Sequence, residues 1–317
     1  MTTRLDRDVL VVGEALVDVV RDTSGEPARR HPGGSPANVA LGLARLGRTV
    51  HLVTQLGDDD DADLVRDHLT GAGVVVHAET TATGRTSTAV AELDDHGVAR
   101  YTFDLVWTLS ADALAGRDAS VVHAGSIAAL LDPGAQVIEE FLGGCRDRAM
   151  ITYDPNLRPS LLVDADTVRP RVERLVAVAD VVKASDEDLA WLYPSTTTEN
   201  VARTWATSGP QLVVVTRGGE EAIAVLGVHV HRAPALRVDV VDTVGAGDAF
   251  MAGLIDGLCA HGSAGSDART RIAALDADAV VDILRRASAA AAVTISRPGA
   301  DPPTAAELDQ HDRKNAT

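Results

Sequence analysis

Short valine-rich runs alternate along this chain with longer stretches of helical period. The runs fall at Val9 to Val12, Val50 to Leu56, Val74 to Val76, Val121 to His123, Met150 to Tyr153, Val181 to Val182 and Leu212 to Thr216. Strands that are apolar on both faces belong to parallel sheets covered twice by helices, so the alternation predicts an α/β fold. The first helical stretch places Ser35 to cap, Pro36 at the first helical position and Gly47 to end it, with Val39, Leu43 and Leu46 on one side. Further helices are expected at Gly247 to Cys259 and at about Ala277 to Ala292. His261 to Arg271 reads as a polar surface insertion between them, and the polar tail after Leu308 is expected to fray.

Between Arg85 and Asp104 the period changes to two. Thr86 to Leu93 and Val98 to Phe103 alternate, joined by Asp94-Asp95-His96-Gly97, which predicts a hairpin. A hairpin inserted in a βα series projects from the main sheet and suits a lid. Tyr101, Phe103 and Trp107 share one parity, which gives the lid an aromatic face for covering a site, for packing, or for pairing with a second subunit. No internal repeat or linker appears, so residues 1–317 are read as one domain. The lid is assigned to about 14–32 and 85–108.

Composition narrows the function. The net charge of −17 disfavours nucleic acid and anionic membrane, whose phosphates would be repelled. No apolar run reaches the roughly twenty residues a bilayer needs. Val9 to Val20 is interrupted by Glu14 and Asp18, lacks a secretory cleavage pattern, and reads as strand, so a cytoplasmic protein is expected. Cys145 and Cys259 have no CxxC spacing, which points away from disulfides and zinc. Lysine occurs only at 183 and 314, no Gly-Lys pair exists, and a P-loop is thereby excluded.

The chemistry concentrates in Asp242-Thr243-Val244-Gly245-Ala246-Gly247-Asp248-Ala249-Phe250. It opens an apolar helix whose first N–H groups point at an anion, with Asp248 in the first turn beside them. A carboxylate base next to an oxyanion cradle suits phosphoryl transfer to an alcohol. Phe250 stands where a dinucleotide fingerprint needs glycine. A second flexible helix start, Gly33-Gly34-Ser35-Pro36-Ala37-Asn38, carries an amide able to bond sugar hydroxyls, and the two elements imply a cleft for two substrates.

These two segments, Gly33 to Gly47 and Asp242 to Phe250, resemble the N- and C-terminal signatures of the ribokinase-like (PfkB) carbohydrate kinases. The resemblance implies a three-layer α/β/α sandwich with a small β-sheet lid, and ATP-dependent phosphorylation of a sugar hydroxyl. It implies Asp248 as catalytic base, the Gly245, Ala246 and Gly247 backbone as anion hole, and a sugar site at Asp18, Gly33, Gly34 and Asn38. Thr216, Arg217 and Gly218 match the family's turn at the nucleotide phosphates. ATP and Mg²⁺ are implied, with a monovalent cation such as K⁺ near Asp242, Val244 and Gly299.

The run Asp154 to Leu161 resembles a segment of bacterial and plant fructokinases, with Leu162 where Trp is common. There Asn156 and Arg158 contact sugar or phosphate, or else form a turn cap and a structural ion pair. Phe103 is placed over the sugar. A sugar acid would need a cationic clamp that Asp18 opposes, so D-fructose leads over 2-keto-3-deoxygluconate, with ribose, a nucleoside and a catalytically silent sugar-binding protein as alternatives. Two segments depart from the family. Ser185-Asp186-Glu187-Asp188 replaces Asn-x-x-Glu, so Asp188 is expected to reach metal through water, and Ser288 replaces an Asn near adenine. Lys183 stands beside the first of these, either near a phosphate or as a surface lysine at a strand end. A homodimer joined through the lid is expected.

Overall fold

A computed structural model of the chain describes residues 8–21, 28–93 and 99–315. The valine-rich runs become the middle of a nine-stranded sheet. Its parallel strands are β1 (Asp8–Val12), β4 (Thr49–Leu56), β5 (Val75–Thr80), β8 (Val121–Gly125), β9 (Met150–Asp154), β10 (Val181–Ser185) and β11 (Leu212–Thr216). A hairpin, β12 (Ala222–Leu226) and β13 (His229–Ala233), extends it antiparallel, giving the order β13-β12-β11-β10-β9-β8-β1-β4-β5.

Alternate residues of each strand feed opposite cores. Val9 and Val11 pack with α1 (Ser35–Arg45), α7 (Ala246–Ala260) and α9 (Ala277–Ile295). Leu10 and Val12 pack with α3 (Gly134–Cys145), α4 (Ala165–Val178), α5 (Asp186–Leu192) and α6 (Thr198–Ala206). The result is a three-layer α/β/α sandwich. The chain leaves β1 toward β4 and returns on the other side at β8, and this reversal opens a crevice at the carboxyl ends of the strands.

A second, four-stranded sheet stands over that crevice: β3 (Arg29–Gly33), β2 (Leu16–Arg21), β6 (Thr88–Leu93) and β7 (Ala99–Asp104), in the order β3-β2-β6-β7. Two antiparallel hairpins meet along the parallel β2/β6 seam. The apolar run from Val9 is therefore two strands in two sheets, broken at Gly13 to Ala15. The Asp94-to-Gly97 turn and the side chain of Tyr101 lie outside the described residues.

Three expectations about the frame are corrected. Trp107 is buried in the main core against Gly134 rather than on the small sheet. The polar insertion is docked: Ser263 and Ala268 are buried, and Arg269 donates to Asp180 Oδ1 (2.7 Å) and to the Gly209 carbonyl (2.9 Å). The tail after Leu308 continues as α10 (Ala305–Asn315), because Leu308 is buried beside Ala289 and Ala290 and anchors it.

Candidate active site

Gly245 has a left-handed backbone (φ 74°), and a side chain there would strike Ala300 at 2.7 Å. From it α7 starts without a side-chain cap, and the first helical bond is Ala249 N–H to the Gly245 carbonyl (2.8 Å). The amides of Gly247 and Asp248 precede that bond and have no acceptor within the helix. Asp248 is buried in the same turn. Its Oδ1 accepts from Ser35 Oγ at 2.6 Å and its Oδ2 from Asn38 Nδ2 at 2.8 Å. Ser35 is thus not the cap of α1. Gly34 (φ 99°) holds that position, and the Ser35 hydroxyl is spent on Asp248. The Asn38 amide, expected on sugar hydroxyls, directs one donor to Asp248.

A cleft of about 1000 Å³ runs between the two sheets. It brings together Asp18, Gly34, Asn38, Phe103, Asn156 and Arg158 with Asp242, Val244, Gly299 and the Gly245-to-Asp248 turn. Gly33 lies just behind, where a side chain would collide with Asp18 Oδ2 at 2.1 Å. Burial pushes Asp18 up to about 6, against the pull of His31 and Arg158, and nearby Asp248 adds to the rise. Arg158 makes no ion pair among the described residues. Its Nη1 donates to Asn156 Oδ1 (2.7 Å) and to the carbonyls of Asn156 (3.1 Å) and Leu157 (2.9 Å), stiffening a loop in which Asn156 has φ 36°. Asp242 ties two loops, accepting from Val244 N–H (3.0 Å) and Gly299 N–H (2.8 Å).

Residues 6–307 match the pfkB family carbohydrate kinase model. The chain belongs to the pfkB family of carbohydrate kinases. It is 36% identical over 262 residues to a fructokinase of Klebsiella pneumoniae, covering 80% of this chain and 85% of that one. A fructokinase of Xylella fastidiosa with bound ATP superposes with a TM-score of 0.90 at 27% identity, over 99% and 100% of the two chains. A fructokinase of Vibrio cholerae O395 with fructose, ADP and calcium ion bound gives 0.80 at 28%, over 96% and 98%. This pfkB chain is a sugar kinase by family and by fold.

Beneath the Gly245-to-Asp248 turn lies a pair that the sequence did not announce. Lys183 is not a surface lysine: it is 3% exposed, and its Nζ donates to Asp154 Oδ2 at 2.7 Å. That Nζ lies 3.1 Å from where a Gly247 side chain would begin, a tight approach from which the ammonium would have to withdraw by a few tenths of an ångström if a side chain were there. Burial works against its charge, yet Asp154 holds the Lys183 pKa above its ordinary value. Burial in turn pushes Asp154 up to about 6 against the pull of Lys183. Next to the pair, burial and Lys183 press His123 down to about 3, so its imidazole is neutral.

In the sequence Glu14 reads only as an interruption. It is buried on the cleft wall and accepts from Ala128 N–H at 3.0 Å, and burial pushes it up to about 7. A carboxylate interrupting an otherwise buried strand run was the available signal. Asp188 braces the local backbone. Its Oδ1 accepts from Leu157 N–H (2.8 Å) and its Oδ2 from Ser185 N–H (3.0 Å), while the Ser185 hydroxyl accepts from the Asp188 amide (3.0 Å), making a capping box. Each of these oxygens accepts one bond and keeps a lone pair, and Asp188 itself does not line the cleft. Thr216, Arg217 and Gly218 at the end of β11, and buried Ser288 on α9, do not line the cleft. Arg217 pairs with Glu220 and Glu221.

Proposed function

We propose that this kinase transfers the γ-phosphoryl group of ATP to a hydroxyl of a neutral ketohexose, with D-fructose giving fructose 6-phosphate as the leading reaction. One observation carries the reading. The Asp248 carboxylate is pinned by Ser35 and Asn38 beside helix-start amides, in one cleft with the hydroxyl-binding carboxylate Asp18. The fructokinase relatives support the choice of sugar. So does the cleft's charge: Asp18 and Asp248 oppose an acidic acceptor.

Each Asp248 oxygen accepts one bond from the protein and keeps a lone pair for the sugar hydroxyl. As the sugar oxygen bonds to the γ-phosphorus and the bond to the bridging oxygen of ADP breaks, the hydroxyl proton passes to Asp248. Charge on the moving group faces the Gly247 and Asp248 amides, with the Lys183 ammonium behind them. Thr216, Arg217, Gly218 and Ser288 are assigned to the nucleotide side, outside the sugar cleft.

Among the described residues no three His, Cys, Asp or Glu side chains gather to hold a metal. Mg²⁺ fits this chain as a partner of the nucleotide phosphates, whose charge it would neutralise, rather than as a caged ion. A monovalent cation would lie by Val244 and Gly299, the segments that Asp242 ties together. The proposal extends to a cytoplasmic setting, which the two unpaired cysteines support, and to a homodimer joined through the small sheet.

A coupled assay of ADP release against a panel of neutral and acidic sugars tests the reading. Turnover is expected with fructose, and Asp248→Asn should lower kcat by about 10³-fold while sugar still binds. If the wild-type chain binds a sugar and releases ADP with none, it is a silent sugar-binding protein.

A further inference from the structure

A second cavity of about 200 Å³ adjoins the sugar cleft. Its outer walls are Leu105, Leu130, Leu131, Leu161 and Leu162, and it shares Phe103, Ile127, Asn156 and Arg158 with the cleft. The chain thus builds a predominantly apolar annex onto a polar site, with polar groups only at the shared boundary. For comparison, a Leu/Ile/Phe-lined cavity of about 150 Å³ is large enough to hold benzene.

The small sheet sets how the two spaces connect. Asp18 on β2 pairs with Ala89 on β6, and Ala89 pairs with Phe103 on β7. Directly paired residues point to one face, so Asp18, Ala89 and Phe103 form a row across the lid. Two strand spacings make that row about 9.6 Å long, longer than the width of a single sugar ring. Ala89 is its low middle, leaving a passage from the hydroxyl-binding carboxylate to the annex.

We propose that the acceptor site continues across Ala89 into this annex, which receives an apolar or aromatic substituent carried by the sugar at the end remote from the attacking hydroxyl. The substrate class is therefore ketoses bearing an apolar group, phosphorylated by the same transfer to the same hydroxyl. This rests on the sugar-kinase reading above.

The experiment compares D-fructose with 1-O-benzyl-D-fructose, using the full-length chain, coupled ADP release and calorimetric binding. Burial of the benzyl ring should lower KM about tenfold with kcat unchanged. Leu162→Trp, which fills the annex, should abolish that gain and leave fructose kcat/KM within about twofold. Leu131→Asn, which makes the wall polar, should reduce the gain and serves if the first variant fails to fold. A wild-type chain that phosphorylates fructose but gains nothing from the benzyl group overturns the annex and leaves the sugar reading standing. If fructose is not phosphorylated, the sugar reading falls and binding judges the annex: tighter binding of the benzyl ketose supports it, and equal or weaker binding overturns it.

Discussion

Two kinds of helix start stand in contrast in this molecule; α3, which begins behind Pro133 with no side-chain cap, belongs to neither. α1 and α7 enter the cleft from Gly34 and Gly245, each with positive φ and neither with a side-chain cap. By contrast α2 (Asp60–Gly71), α4, α5, α6 and α9 begin behind Asp59, Asp164, Ser185, Thr197 and Asp276, whose side chains bond the helix amides. None of those five caps lines the cleft. A side-chain oxygen over the first turn stabilises a helix and blocks its amides. A glycine gives up that stabilisation and leaves the amides for a ligand, which is how α7 can face a phosphate. α1 uses its open end differently: Pro36 removes one donor, and Ser35 and Asn38 turn toward Asp248.

Four measurements break or sharpen this contrast. The largest effect is expected beneath α7. Lys183→Met leaves Asp154 buried without its partner, so urea unfolding should show a loss of about 3–5 kcal/mol, with kcat falling as well. Adding Asp154→Asn should recover much of the stability and none of the rate. If the double variant is as active as wild type, the pair has no part in catalysis.

Next is the α1 end, where Ser35→Ala removes one bond to a buried carboxylate and should cost at least about tenfold in kcat together with about 1–3 kcal/mol of stability, the latter through Asp248 and not through the helix, since the hydroxyl caps nothing. Asp18 comes third. Its pKa, raised mainly by burial to about 6, means its charged form appears only as pH passes that value. kcat/KM should therefore drop about tenfold for each pH unit below 6, and Asp18→Asn should erase that limb. The same shift makes the native state hold the proton more tightly than the unfolded chain, so this group's contribution to stability declines as pH rises from near 4 toward 6. Smallest is the control at a conventional cap. Asp276→Ala should lower stability by about 1 kcal/mol and leave kcat untouched, and an effect on kcat would show that the two kinds of helix start are not separate.

Much of the frame was legible because burial on both faces forces continuous apolar runs, and these located the inner parallel strands β1, β4, β8, β9, β10 and β11, with edge strand β5 marked only by its first residues. β3 was not legible as a strand. Arg29-Arg30-His31-Pro32-Gly33 has no strand period and pairs on one side only, at a sheet edge where proline and charge are tolerated. The β12/β13 hairpin was missed as well, since His229 to Ala233 is only partly apolar and its pairing with β12 decides the outcome. In the site, the Gly245-to-Asp248 turn was legible because an anion cradle needs local backbone freedom and a local carboxylate.

Local order along the chain was enough to determine the alternation of strands and helices and the glycine-led start of α7 with the carboxylate in its first turn, since each depends on neighbours a few residues away. Tertiary structure alone decided that Ser35 and Asn38 hold Asp248, that Lys183 is buried on Asp154 under Gly247, that Asp188 closes a capping box and ties Leu157, and that Asp18 faces Phe103 across Ala89. The physical reason is distance along the chain. A hydrogen bond or ion pair between residues tens to hundreds of positions apart leaves no period in either segment, and it exists only once packing has brought the two backbones together.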